Sequence, residues 1–133
     1  MEATHKIKIR KNERRKAQRL NIPLKIKYRW VAKRGILQEI FTQDISGGGI
    51  KIRTDRPFKI GNRLRTLLYF PDEPKPVNIV SQVAWCKKGK IRKKIYFDIG
   101  IKHIKIEPPD RERFILLFCE MMINFLASTK RYR

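Results

Sequence analysis

The chain has 133 residues, 41% of them apolar, with 33 Lys and Arg against 12 Asp and Glu for a formal net charge of +21. That describes one domain with a modest core and a need for an anionic partner: nucleic acid, an anionic membrane face, an acidic protein or a phosphorylated small molecule. Two cysteines in apolar sequence, Cys86 and Cys119, with no CxxC and no His/Cys cluster, argue against a bound metal and for a reducing, cytoplasmic setting, and no apolar run reaches the ~20 residues of a membrane span.

Residues 1–22 read as a flexible basic arm; positions 1–21 carry eight Lys and Arg against Glu2 and Glu13, with no apolar core of a secretory signal. Strand patterns fill 23–106. After Pro23, the residues Leu24, Ile26, Tyr28 and Trp30 alternate with Lys25, Lys27 and Arg29, as in a half-buried antiparallel strand. Lys33-Arg34-Gly35 reads as a turn, and 36–45 as a second, less regular strand running into three glycines. Ile50 and Ile52 alternate with Lys51 and Arg53 in a third strand, 63–70 forms a fourth, and "PDEPKP" closes it. In a fifth strand, 77–86, Val77, Ile79, Ser81, Val83 and Trp85 share one face; Gly89 reads as a hairpin tip; Ile95, Phe97, Ile99 and Ile101 lie on one face of a sixth.

Six short strands with close turns predict a small six-stranded antiparallel β-barrel, a closure that also removes exposed sheet edges. Residues 107–133 complete an all-β dominated fold with a C-terminal α-helix and basic tail, the helix running from about 111 to 128 with Asp110 as its N-cap.

Two motifs carry chemistry. In "ERRKAQR", residues 13–19, Arg15 and Arg19 are four apart, and two guanidinium forks can clamp a phosphate or cap the O6/N7 edge of guanine; the plain alternative is a basic tail. In "DISGGGI", residues 44–50, the Asp44 carboxylate suits the N1–H and N2–H₂ donors of guanine, and Ser46 can donate or accept beside it. Gly47, Gly48 and Gly49 let a base or phosphate approach bare backbone; the plain alternative is an Asx-type turn capped by Asp44.

The order and placement of these motifs, RxxxR just before the first strand and DxSxxG just after the second, resemble the PilZ domain, the bacterial receptor module for cyclic di-GMP. "VAWC", "DIGIKHI" and "PDRERFILLFCE" resemble the closing strands and following helix, so the likeness covers nearly the whole chain. It implies a six-stranded barrel and ligand contacts from Arg15, Arg19, Asp44, Ser46 and Gly49. It also implies that an arginine just ahead of RxxxR, here Arg14, goes with binding of a stacked pair of ligands. One departure is His103, where the family usually carries an aromatic.

The favoured expectation is therefore a cyclic di-GMP receptor whose arm becomes ordered on binding and alters interaction with an unidentified downstream protein. The runner-up is a basic small barrel binding single-stranded DNA or RNA; a third reading is a peripheral membrane or adaptor protein using the helix and the basic tip "KKGKIRKK", residues 87–94. The helix segment "FILLFCEMMINFLA" has only Glu120 and Asn124 as polar residues, so it either packs deeply on the barrel or forms a homodimer or partner interface. No nucleophile–base set is evident, so an enzyme is not expected.

Overall fold

The computed structural model describes residues 19–33 and 35–131, with side chains through 128, and among these residues seven strands and one helix succeed one another. They are β1 Lys25–Trp30, β2 Gln38–Phe41, β3 Asp44–Ile45, β4 Gly49–Thr54, β5 Arg63–Leu68, β6 Val77–Ile91, β7 Lys94–Lys105 and α1 Pro108–Arg131. Every pairing is antiparallel, in the order β2-β1-β5-β6-β7-β4-β3. The two ends of that order are the two halves of one run of chain, so the sheet curls into a half-barrel whose edge strands are contiguous in sequence.

That run is the difference from the six expected strands. The segment 36–45 bends at Thr42, which is 3% exposed. Its hydroxyl accepts the Leu24 N–H (2.9 Å) and donates to the Ile22 carbonyl (2.7 Å), and its own N–H donates to the Leu24 carbonyl (2.9 Å). This knot holds β2 beside β1 while the chain beyond it turns away to join β4.

In the core, outside the β6 bulge, the predicted alternation holds. Ile26, Ile52, Leu64, Leu68, Ile79, Val83 and Ile99 point inward, each at most 1% exposed. Burial of such a side chain contributes about 1.5–3 kcal/mol, and this core is what fixes strand register, since a one-residue slip would turn it outward.

The β6–β7 hairpin is longer than its sequence suggested. Its tip is Arg92-Lys93, both with positive φ (49° and 70°), as a two-residue turn of type I′ requires. Gly89 is not the tip: it lies within β6 opposite Tyr96, where a Cβ would strike the tyrosine ring. Tyr96 in turn stacks under Arg53, whose guanidinium carbon is 3.9 Å from the ring centroid. Trp85 does not share the inner face as expected. The register shifts between Val83 and Trp85, a bulge that turns Trp85 outward so that its indole covers Gly100.

The helix also starts earlier than predicted. The Arg111 N–H donates to the Glu107 carbonyl (2.8 Å), making Glu107 the cap and placing Pro108 and Pro109 in the first turn, where a missing N–H costs nothing. Asp110 is inside the helix. Its carboxylate accepts the Asn78 N–H (2.9 Å) and an Arg113 N–H (3.2 Å), and those bonds, the first above all, hold it below its ordinary pKa. Arg113 also donates to the Lys75 carbonyl (2.8 Å), so one turn of helix is tied to the start of β6.

Candidate ligand-binding site

The turn joining β3 and β4 is built by its own serine. Ser46 N–H donates to the Gly49 carbonyl (2.9 Å), and the N–H groups of Gly48 and Gly49 both donate to the Ser46 hydroxyl (3.2 Å each). The hydroxyl itself donates to the Gly49 carbonyl (3.3 Å). One side chain thus satisfies most of the turn's polar backbone.

The glycines serve different ends. At Gly49 a Cβ would run into the Ile101 carbonyl oxygen and sit 3.1 Å from the Lys102 Cα, so the residue is small because β7 passes directly beside it. At Gly48 the nearest atom to a Cβ would be Ser46 Oγ at 4.0 Å. Gly47 and Gly48 are exposed, leaving backbone that a flat ring or a phosphate can approach closely.

Asp44 is 8% exposed. Its Oδ2 lies 3.8 Å from Lys51 Nζ and 4.0 Å from Arg19 Nη1. Both separations are electrostatic contacts longer than a hydrogen bond, so toward the described residues the carboxylate keeps lone pairs for a better-placed N–H donor. Among the described residues Asp44 forms no Asx-type cap, since the Ser46 N–H goes to the Gly49 carbonyl and the Gly48 and Gly49 N–H groups to the Ser46 hydroxyl. Arg19 arrives there because the next residue is anchored: Leu20 is fully buried, its N–H donates to the Ile45 carbonyl (2.8 Å), and its carbonyl accepts the Ile45 N–H (2.9 Å). A two-residue ladder therefore joins the C-terminal end of RxxxR to the DxSxxG turn.

The structure brings together Arg19, Asp44, Ser46, Gly47, Gly48 and Gly49. Arg14 and Arg15 lie outside the described residues. Lys51 was missed by the sequence reading, although hairpin counting could have found it: once 46–49 turn, 45 pairs with 50 and 44 with 51.

Behind the turn sits His103. Its N–H donates to the Gly48 carbonyl (2.9 Å), and its ring packs edge-on against Phe114 of α1 (centroids 5.3 Å apart, 80° between planes). Both ring nitrogens are buried, and among the described residues no formed hydrogen bond reaches either. Burial drives its pKa down to about 4, with the nearby Ser46 carbonyl offsetting only part of the shift, so the ring is neutral at pH 7. It packs there as a core residue joining turn to helix.

Among the described residues no cluster of three His, Cys, Asp or Glu could hold a metal ion, and no helix is long and apolar enough to cross a membrane. The structure resembles that of MrkH from K. pneumonia in its apo state, with 18% identity over 90% of this chain and 53% of that one and a TM-score of 0.68. It resembles the K. pneumonia MrkH–c-di-GMP complex similarly, with 18% identity over 90% and 55% and a TM-score of 0.62. Against the Bacillus subtilis inhibitor of motility MotI/DgrA the TM-score is 0.62, with 18% identity over 83% of this chain and 52% of that one. The chain thus spans about half the length of these neighbours. A comparison with curated protein sequences finds no match. The sequence model of the PilZ domain matches residues 13–118, a span that takes in both motifs, the whole sheet and the first half of α1, and the chain belongs to the PilZ domain family.

Proposed function

We propose that this chain is a cyclic di-GMP receptor, with the ligand held between the arm and the Ser46–Gly49 turn. The observation that carries this reading is the convergence of Arg19 on Asp44 beside exposed glycine backbone, through the Leu20–Ile45 ladder. A guanine fits that arrangement: Asp44 takes its N1–H and N2–H₂, and the guanidinium forks of Arg15 and Arg19 take its O6/N7 edge and the phosphates. The solved MrkH–c-di-GMP complex, a neighbour in fold, supports the ligand class. Ser46 sets the turn that presents Gly47 and Gly48. On binding, the arm folds over the ligand, and the surface it makes or hides is read by a downstream protein partner. Two free thiols, Cys86 and exposed Cys119, support a cytoplasmic setting.

Stoichiometry is part of the proposal. Two arginines and Asp44 satisfy one guanine and the phosphates of one ligand. Arg14, immediately before them, stacks on or bonds to a second ligand of an intercalated pair.

Calorimetry tests both parts. Arg15→Ala, Arg19→Ala and Asp44→Ala should each weaken binding about 10- to 150-fold, the effect of one charge-assisted hydrogen bond to a buried ligand, with the fold intact by circular dichroism. Wild type should saturate near two ligands per chain and Arg14→Leu near one. Unchanged isotherms for Arg15→Ala and Asp44→Ala would end the receptor reading; saturation at one in the wild type would remove only the stacked pair.

A further inference from the structure

Helix α1 is apolar on two opposite faces. Phe114, Phe118 and Met121 are buried against the half-barrel, with Phe70 and His103 packed on Phe114. The opposite face carries Leu116 (69% exposed), Cys119, Ile123 (64%) and Leu126 (48%). Those four residues are spaced three, four and three apart, the a and d spacing of a two-helix seam. Nothing of this chain covers them among the described residues.

We infer that this seam pairs with the same seam on a second copy of the chain, the two helices running antiparallel. Charge selects the occupant. On a chain of net charge +21, two copies repel across most of their surface. Helix α1 is close to neutral by contrast: over Pro108–Arg131, Asp110, Glu112 and Glu120 stand against Arg111, Arg113, Lys130 and Arg131. On this surface two copies can meet without large electrostatic cost.

Charge order then selects the direction. The acids Asp110 and Glu112 stand in the first turns of the helix, and Lys130 and Arg131 are its last residues. Antiparallel apposition keeps the two acidic starts apart and opposes the two helix dipoles favourably; parallel apposition sets like against like. Side-chain size agrees. In a pair that crosses near Met121, Leu116 of each copy meets Leu126 of the other, and Cys119 meets Ile123. The seam is its own complement, as a two-fold interface demands. The inference does not depend on the ligand reading.

Sedimentation equilibrium on the full chain tests it. Wild type should show a concentration-dependent mass approaching twice the 15.9 kDa of one chain. Leu116→Lys and Leu126→Glu should each be monomeric with the fold retained by circular dichroism, since both positions are exposed in the single chain. Mixing the two variants should restore a dimer at least about tenfold tighter than either variant alone forms, because position 116 of one copy faces position 126 of the other. A wild type that stays monomeric, a dimer that survives either substitution, or a mixture no tighter than its components would each overturn the antiparallel pairing.

Discussion

At the scale of single residues, two positions in the turn separate packed backbone from open backbone. Gly49 is boxed in by the β7 backbone, whereas Gly48 faces open space. Gly49→Ala should therefore cost about 1–3 kcal/mol in urea unfolding, the usual penalty for forcing a group into packed backbone. Gly48→Ala should unfold like wild type. Equal stabilities would mean that β7 yields at Ile101–Lys102.

His103 offers a second residue-scale test. Its folded pKa of about 4 lies below the ordinary 6.5 because the ring is buried. A group depressed in the folded state contributes full stability above its unfolded pKa and loses that contribution as pH falls toward the folded one. Wild type should thus lose about 3 kcal/mol between pH 6.5 and 4 from this residue alone, at about 1.4 kcal/mol per unit. His103→Phe keeps the contact with Phe114 and removes the titration, so its stability should exceed that of wild type increasingly over this window. Parallel profiles would show that the ring is solvated.

At the scale of elements, Thr42 decides where one predicted strand becomes two. Its hydroxyl satisfies the buried Leu24 N–H. Thr42→Val keeps the shape and strands that donor, so it should cost about 1–3 kcal/mol in urea unfolding. It should also weaken ligand binding, because the bend delivers Asp44 to β4; a stable variant that binds normally would make the bend incidental. This bend was not legible in the sequence. Periodicity reports which face a residue takes, and a threonine that bonds to backbone far along the chain has no periodic signature. Trp85 was misplaced for a related reason: a bulge adds one residue and reverses the face of everything after it. The hairpin tip was hidden because Arg92 and Lys93 adopt positive φ where glycine or asparagine is the usual signal. By contrast, the inner faces of β1, β4 and β7 were legible, since Ile26, Ile52 and Ile99 alternate with charge. So was the position of the turn, because an acid, a serine and three glycines in a row interrupt the strand pattern. Counting outward from that turn would have added Lys51.

At the scale of the whole molecule, the net charge of +21 attracts any polyanion, while the built features are local: a serine-closed turn, a sequestered carboxylate and an arginine pinned beside it. Charge alone and a built pocket respond differently to salt. A polymer held by six or more phosphate contacts loses roughly a thousandfold in affinity over a modest rise in salt, through counterion release. A ligand with two phosphates, held by Asp44, glycine backbone and guanidinium stacking as well, should lose far less. The most direct measurement is therefore a calorimetric titration of the purified chain with cyclic di-GMP at low and at physiological salt, with GTP and a random oligonucleotide as controls. Cyclic di-GMP should bind saturably and survive the salt increase with a small loss, and any oligonucleotide binding at low salt should collapse. No binding of cyclic di-GMP, or binding that GTP matches and salt abolishes alongside the oligonucleotide, would contradict the receptor reading.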